Sequence, residues 1–119
     1  MGPKEVVLEW VSAFNDGDAI RIADLYAEDA INNQAANEPV AGKSAIFDMF
    51  QAEFAQAEMT CIVENLCEGG DWAILEWRDP LGLRGCGFCQ TRDGKIVFQR
   101  GYWDKLSFLR QQGLPFPFE

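Results

Sequence analysis

Residues 84–104, RGCGFCQTRDGKIVFQRGYWD, decide the fold. β-branched and aromatic residues flank Asp93-Gly94, a dipeptide whose tolerance of left-handed backbone suits a two-residue hairpin turn. The stretch reads as two antiparallel strands, 84–92 and 95–104. Upstream, Gly69-Gly70 and Pro80-Leu81-Gly82-Leu83 punctuate two more strand-like runs, 60–67 and 71–79. The second half of the chain is thus an antiparallel meander.

The turns also predict a register. A two-residue turn sets Arg92 opposite Lys95, Phe88 opposite Gln99, Cys86 opposite Gly101 and Arg84 opposite Trp103, and paired residues share a face. A four-residue loop at 80–83 sets Asp79 opposite Arg84, Trp77 opposite Cys86 and Leu75 opposite Phe88. One face then gathers Leu75, Trp77, Asp79, Arg84, Cys86, Phe88, Gln99, Gly101 and Trp103. Apolar with a few polar groups, it has the makeup of a ligand pocket. The other face gathers Gly85, Gly87, Arg100 and Tyr102, where a homodimer can form. A bulge would turn part of this assignment over.

The first half reads as helices. Pro3 suits a first helical turn, and Val6, Val7, Trp10, Val11 and Phe14 follow on one face. Gly17 ends that helix and Asp18 caps the next, whose buried side carries Ile22, Leu25 and Tyr26. Tyr26 is a structural tyrosine whose hydroxyl is also within reach of a pocket. Residues 27–42 are polar, with Asn and Pro, and read as a loop. A third helix spans 43–57, with Ile46, Phe50 and Phe54 four apart. Helices followed by an antiparallel sheet make an α+β fold, three helices packed on one face of a curved sheet. The 119 residues suffice for one domain, 1–119, with 113–119 as a loose tail.

Composition narrows the function. The 19 acidic residues against 10 basic give a net charge of −9, which repels nucleic acid and disfavours a highly anionic substrate. The absence of histidine removes Ser-His-Asp triads, Cys-His dyads and His-ligated metals. No apolar run approaches a membrane span and no secretory signal is visible, so a cytoplasmic protein with reduced thiols at Cys61, Cys67, Cys86 and Cys89 is expected. Cys86-Gly-Phe-Cys89 lies inside a strand, where residues three apart face opposite sides, unlike a redox motif at a helix start. With no phosphate loop and no credible thiol cluster, no metal, flavin or nicotinamide cofactor is expected.

The runs WVSAFNDGD (10–18), LYAEDA (25–30), EPVAGKSAI (38–46) and DGKIVFQRGYWD (93–104) together resemble the nuclear transport factor 2-like superfamily, and within it the SnoaL-like group. The resemblance implies a cystatin-like cone with an apolar pocket between helices and sheet, and homodimers formed through the sheet. Relatives include isomerases, lyases, hydrolases, cyclases and non-catalytic binding modules, so fold does not settle function. Trp10 stands where ketosteroid isomerases carry a tyrosine, Gln34 where they carry the base, and Cys86 near their second acid. Asn32 and Gln34 match a water-holding pair of limonene epoxide hydrolases, whose strand arginine falls on Trp77. Their neighbouring aspartate is retained as Asp79, but their last-strand aspartate falls on Gly101.

Asp79 is therefore the one acid that register and resemblance both place on the pocket face, a candidate general acid or base. Arg84 opposite it is either an ion-pair partner or the group that orients it. Trp77, Phe88 and Trp103 serve as core or pocket wall; Asn32 and Gln34 are either exposed loop residues or hydrogen-bonding groups of the pocket, and Gln99 joins the pocket face as a substrate-binding residue. The reading is a small cofactor-independent enzyme of isomerase, lyase or hydrolase type acting on an apolar molecule. The alternative is a binding or dimeric interaction module of the same fold.

Overall fold

The computed structural model describes residues 1–117. Helix α1 (Pro3–Asn15) begins at its proline, and α2 (Ala19–Ala23) starts where Asp18 accepts a hydrogen bond from the Arg21 amide at 3.0 Å. Strands β1 (Tyr26–Gln34) and β2 (Val40–Ala41) follow, then α3 (Lys43–Gln56). The meander is β3 (Ile62–Gly69), β4 (Trp72–Arg78), β5 (Arg84–Arg92) and β6 (Lys95–Trp103), closed by α4 (Lys105–Gln112). The six strands lie in the order β2-β1-β6-β5-β4-β3, antiparallel except where β1 runs parallel to β6. The fold is α+β: helices cover one face of a curved, open sheet. Val6, Val7, Ile22, Ile46 and Phe50 from the helices meet Ala73, Leu75, Cys89 and Ile96 from the sheet to form the core. No helix among the described residues is long and apolar enough to cross a membrane.

Three expectations are corrected. Residues 27–42 are not one loop, because β1 and β2 occupy most of them. The inward positions of β1 are Ala30, Asn32 and Gln34, so the strand has no run of apolar side chains to announce it. Tyr26 is the first residue of β1, fully buried, rather than part of the second helix. The chain after 104 is also ordered: Asp104 caps α4 through a bond from the Leu106 amide, and Gly113 ends it in the left-handed conformation. Leu114 returns its amide to the Leu109 carbonyl, so the expected tail at 113–119 begins as a helix cap, and 118–119 lie outside the described residues.

The register correction is the one that matters for the site. The hairpin begins as expected with Arg92 opposite Lys95, but the pairing shifts between Gln90–Phe98 and Thr91–Ile96, leaving Val97 as a bulge. At the other end Arg78, not Asp79, pairs with Arg84. Each slip inverts β5 relative to its neighbour, and together they leave β4 and β6 in the expected relation. Gly85, Gly87 and Cys89 therefore share the inner face with Leu75, Trp77, Gln99, Gly101 and Trp103. Arg84, Cys86 and Phe88 join Arg100 and Tyr102 on the outer face. Cys86 and Cys89 do face opposite sides, and all four thiols are free.

The glycines have a use there. A Cβ on Gly85 would overlap the Trp77 ring, and one on Gly101 would overlap the Gln34 amide. Their bareness lets both side chains lie flat on the sheet.

Candidate active site

A cavity of about 580 Å³, within the usual range for small-molecule sites, lies between the inner sheet face and helices α1, α3 and α4. Trp10 and Phe14 of α1, Phe50 of α3, Trp77 and Trp103 of the sheet and Phe108 of α4 give it a largely aromatic wall. Asn32, Gln34, Gln99, Asp79 and Glu53 supply polar groups. Of the residues expected at a pocket, Trp10, Asn32, Gln34, Trp77, Asp79, Gln99 and Trp103 line this one. Tyr26 stands behind Trp10 and Gln99.

Two hydrogen-bonded relays run along the cavity wall. In the first, Trp103 Nε1 donates to Gln34 Oε1 at 3.0 Å, and Gln34 Nε2 donates to Asn32 Oδ1 at 2.7 Å. An indole can only donate, so it fixes the orientation of both amides and leaves Asn32 Nδ2 at the end. Asn32 is 1% exposed and this nitrogen has no partner. Leaving a buried donor unpaired costs about 1–3 kcal/mol. In the second relay, Trp10 Nε1 donates to the Tyr26 hydroxyl at 3.0 Å, and that hydroxyl donates to Gln99 Oε1. Burial raises the Tyr26 pKa well above its ordinary value; nearby Cys89 and Glu53 add to the rise, and the Trp10 bond opposes it. The phenol therefore stays protonated and donating. The relay ends at Gln99 Nε2, which has no hydrogen bond within the described residues. Asn32 and Gln99 are register partners on adjacent strands, so the two relays end in neighbouring N–H donors.

Asp79 is buried but is not paired with Arg84. Its Oδ1 accepts from the amides of Leu81 at 2.9 Å and Leu83 at 2.8 Å, and its own amide donates to the Leu83 carbonyl. The carboxylate thus shapes the 79–83 turn with one oxygen and leaves Oδ2 without such a bond. Arg84 lies on the outer face, largely exposed, 3.6 Å from Glu64. Cys86 is outside as well, and burial followed by the charge of Glu76 raises its thiol pKa. Phe88 packs outside against Tyr102 and under Arg100, whose guanidinium carbon is 4.7 Å from the Phe88 ring centre.

Glu53 is the acid that the sequence reading missed. It lines the cavity from α3, and burial raises its carboxyl pKa from 4.5 to about 7. A signal was present: 53 is seven residues after Ile46 and three after Phe50, so a glutamate occupies a place on the apolar stripe. Cys61 and Cys89, also in the wall, are pushed up to about 12 by burial and remain thiols. Among the described residues no three Cys, Asp or Glu side chains come together as a metal-ligand group.

The model of the SnoaL-like domain family matches residues 7–99. No curated protein matches the chain. Among solved structures, a hypothetical protein with a ketosteroid isomerase-like fold from Catenulispora acidiphila, in complex with trimethylamine, is similar with a TM-score of 0.82 and 20% identity, over 97% of this chain and 96% of that one. IdmH from Streptomyces antibioticus, described as a candidate polyketide cyclase, has a TM-score of 0.79 and 21% identity, over 96% of this chain and 100% of that one. The epoxide hydrolase/cyclase-like enzyme SalBIII, concerned with pyran ring formation in the polyether salinomycin, has a TM-score of 0.77 and 22% identity, over 87% of this chain and 92% of that one. At these identities the likeness is one of fold.

Proposed function

The chain belongs to the SnoaL-like domain family, and from that premise we propose that its cavity binds a largely apolar organic molecule bearing a carbonyl-type acceptor. The observation that carries this reading is the pair of donor-ended relays at Asn32 and Gln99. Two neighbouring N–H groups in a largely aromatic wall suit one oxygen, and a developing negative charge on that oxygen most of all. The aromatic wall would enclose the rest of the molecule. The trimethylamine complex of the Catenulispora protein supports small-molecule binding by this fold.

The chemistry that fits is cofactor-independent acid–base catalysis of isomerase, lyase, hydrolase or cyclase type. Asp79 carries the proton through Oδ2, and Asn32 and Gln99 hold the acceptor. Arg84 has no part in it from the outer face. A second reading, a binding module without turnover, is favoured by one observation: Asp79 Oδ1 already anchors a turn, which is sufficient reason for an aspartate there.

The outer face supports a homodimer. Tyr102 is 50% exposed and Ile74 39%, beside Phe88 and Phe98, a face that self-association would cover. Four free thiols suit a cytoplasmic setting.

Binding is tested with 2-tetralone, an apolar ketone, followed by tryptophan fluorescence. Saturable binding that weakens roughly tenfold in Asn32→Leu and in Gln99→Leu supports the site, one lost hydrogen bond being worth about 1.4 kcal/mol at most such positions. Binding that ignores both substitutions would refute it.

A further inference from the structure

The Glu53 carboxylate has no hydrogen bond or ion pair among the described residues, although it lines the cavity from within an aromatic wall. Trp10 stacks on Phe14 with ring centres 5.0 Å apart and meets Phe50 edge-on at 6.2 Å, and all three line the cavity with Glu53. Every other acid there is accounted for. Asp79 is held by backbone amides, and Glu58 is an exposed residue at the rim. The single cation of the lining, Lys105, places its amine on the Ala36 carbonyl and Asn37 Oδ1. The protein supplies Glu53 with no counter-charge.

We infer that the ligand itself brings one: a cationic amine that sits at Glu53 against the faces of Trp10 and Phe50, while the acceptor group meets Asn32 and Gln99. The inference rests on the reading of the cavity as a ligand site and adds the class of molecule. A carboxylate beside π faces is the pairing that stabilises a desolvated ammonium, since ring faces and carboxylate attract it together. A ligand carboxylate or phosphate would instead meet Glu53, Glu58 and Asp79. The net charge of −9 favours cation entry in the same sense.

Binding should be linked to protonation. From α1 the groups facing Glu53 are uncharged, Trp10 and Phe14. From β1 it is Tyr26, from β5 Cys89 and from the 57–61 segment Cys61, all neutral well above pH 7. Glu58 at the rim and Asp79 and Lys105 across the cavity complete the set. Glu53 is therefore the group that changes charge near neutrality, and a cation binds its ionised form.

The test uses three probes on the intact protein at pH 6 and pH 8: benzyltrimethylammonium, its uncharged isostere neopentylbenzene, and 2-tetralone. The ammonium probe is expected to bind about tenfold more tightly at pH 8 than at pH 6, following the ionised fraction of one carboxyl. Neopentylbenzene should show no such dependence. Glu53→Gln should remove the pH dependence and weaken the ammonium by at least tenfold, while 2-tetralone binding stays within about twofold. If 2-tetralone binds but the ammonium shows no pH dependence, or binds no better than its isostere at pH 8, the amine assignment is overturned and the acceptor site stands. If none of the three binds, both fall. The wild-type pH series decides the matter should Glu53→Gln fold poorly.

Discussion

Trp103 donates its indole N–H to Gln34 Oε1 across 3.0 Å, and that bond determines which way two amides face. Trp103→Phe keeps the ring bulk and removes the donor. Gln34 and Asn32 are then free to turn, and the cavity loses a fixed donor at Asn32. We expect 2-tetralone affinity to fall about tenfold with a stability loss of about 1 kcal/mol, read by fluorescence titration and urea unfolding. Unchanged affinity would show that the indole does not orient the amides.

Gly85 and Gly87 make a matched pair for testing the flipped β5. A methyl on Gly85 collides with the Trp77 ring, whereas one on Gly87 comes within 3.8 Å of only the Arg100 carbonyl, an ordinary contact. Gly85→Ala should cost about 2 kcal/mol by overpacking. Gly87→Ala should change stability by no more than about 0.5 kcal/mol. Urea midpoints that reverse this order would contradict the register.

Glu53 gives a pH-dependent stability. The folded carboxyl titrates at about 7 against an ordinary 4.5, so between these values the folded chain holds a proton that the unfolded chain has lost. Stability therefore falls as pH rises across that window, and the deficit is complete above pH 7. Glu53→Gln should equal the wild type near pH 4 and exceed it by about 2 kcal/mol at pH 8. Parallel thermal melts across the range would disprove the assignment.

Asp79 separates shape from chemistry. Asparagine retains Oδ1 for the Leu81 and Leu83 amides, so Asp79→Asn should fold normally, and once a substrate is known it should not turn it over. Asp79→Ala leaves both amides without their acceptor and should lose about 2 kcal/mol. Wild-type turnover by Asp79→Asn would leave the aspartate as a turn anchor alone.

The outer sheet face should make the protein a dimer. Light scattering at micromolar concentration is expected to give twice 13.4 kDa, and Ile74→Lys with Tyr102→Lys to give monomer. A wild-type monomer would remove the proposal.

The helices were legible because Val6, Val7, Trp10, Val11 and Phe14 repeat at helical spacing, and β3 to β6 because turn residues separate β-branched runs. β1 was hidden because Ala30, Asn32 and Gln34 face inward, so its polar alternation resembles a loop; it is held as a strand by pairing with β6. The Val97 bulge has no local sequence signal, and with the slip at the 79–83 turn it moved Arg84, Cys86 and Phe88 out of the site. The terminal helix was within reach, since Asp104 and Gly113 are ordinary start and stop residues that flank its eight residues directly. Asn32, Gln34, Gln99, Trp77 and Trp103 line the cavity. What no pattern in the sequence discloses is which way each amide is turned, because that follows from indoles far away in the chain.

The parallel pairing of β1 with β6 has a consequence for the newly made chain. Tyr26 must wait for Gln99, and Gln34 for Trp103, separations of 73 and 69 residues. At a synthesis rate of roughly 5–20 residues per second, seconds pass during which the first strand has no neighbour in the sheet but β2. Such distant contacts are slow to close and come late in assembly. A molecule that engages Asn32 and Gln99 together therefore recognises only a finished protein, and its occupancy would distinguish completed chains from those still missing their last strand.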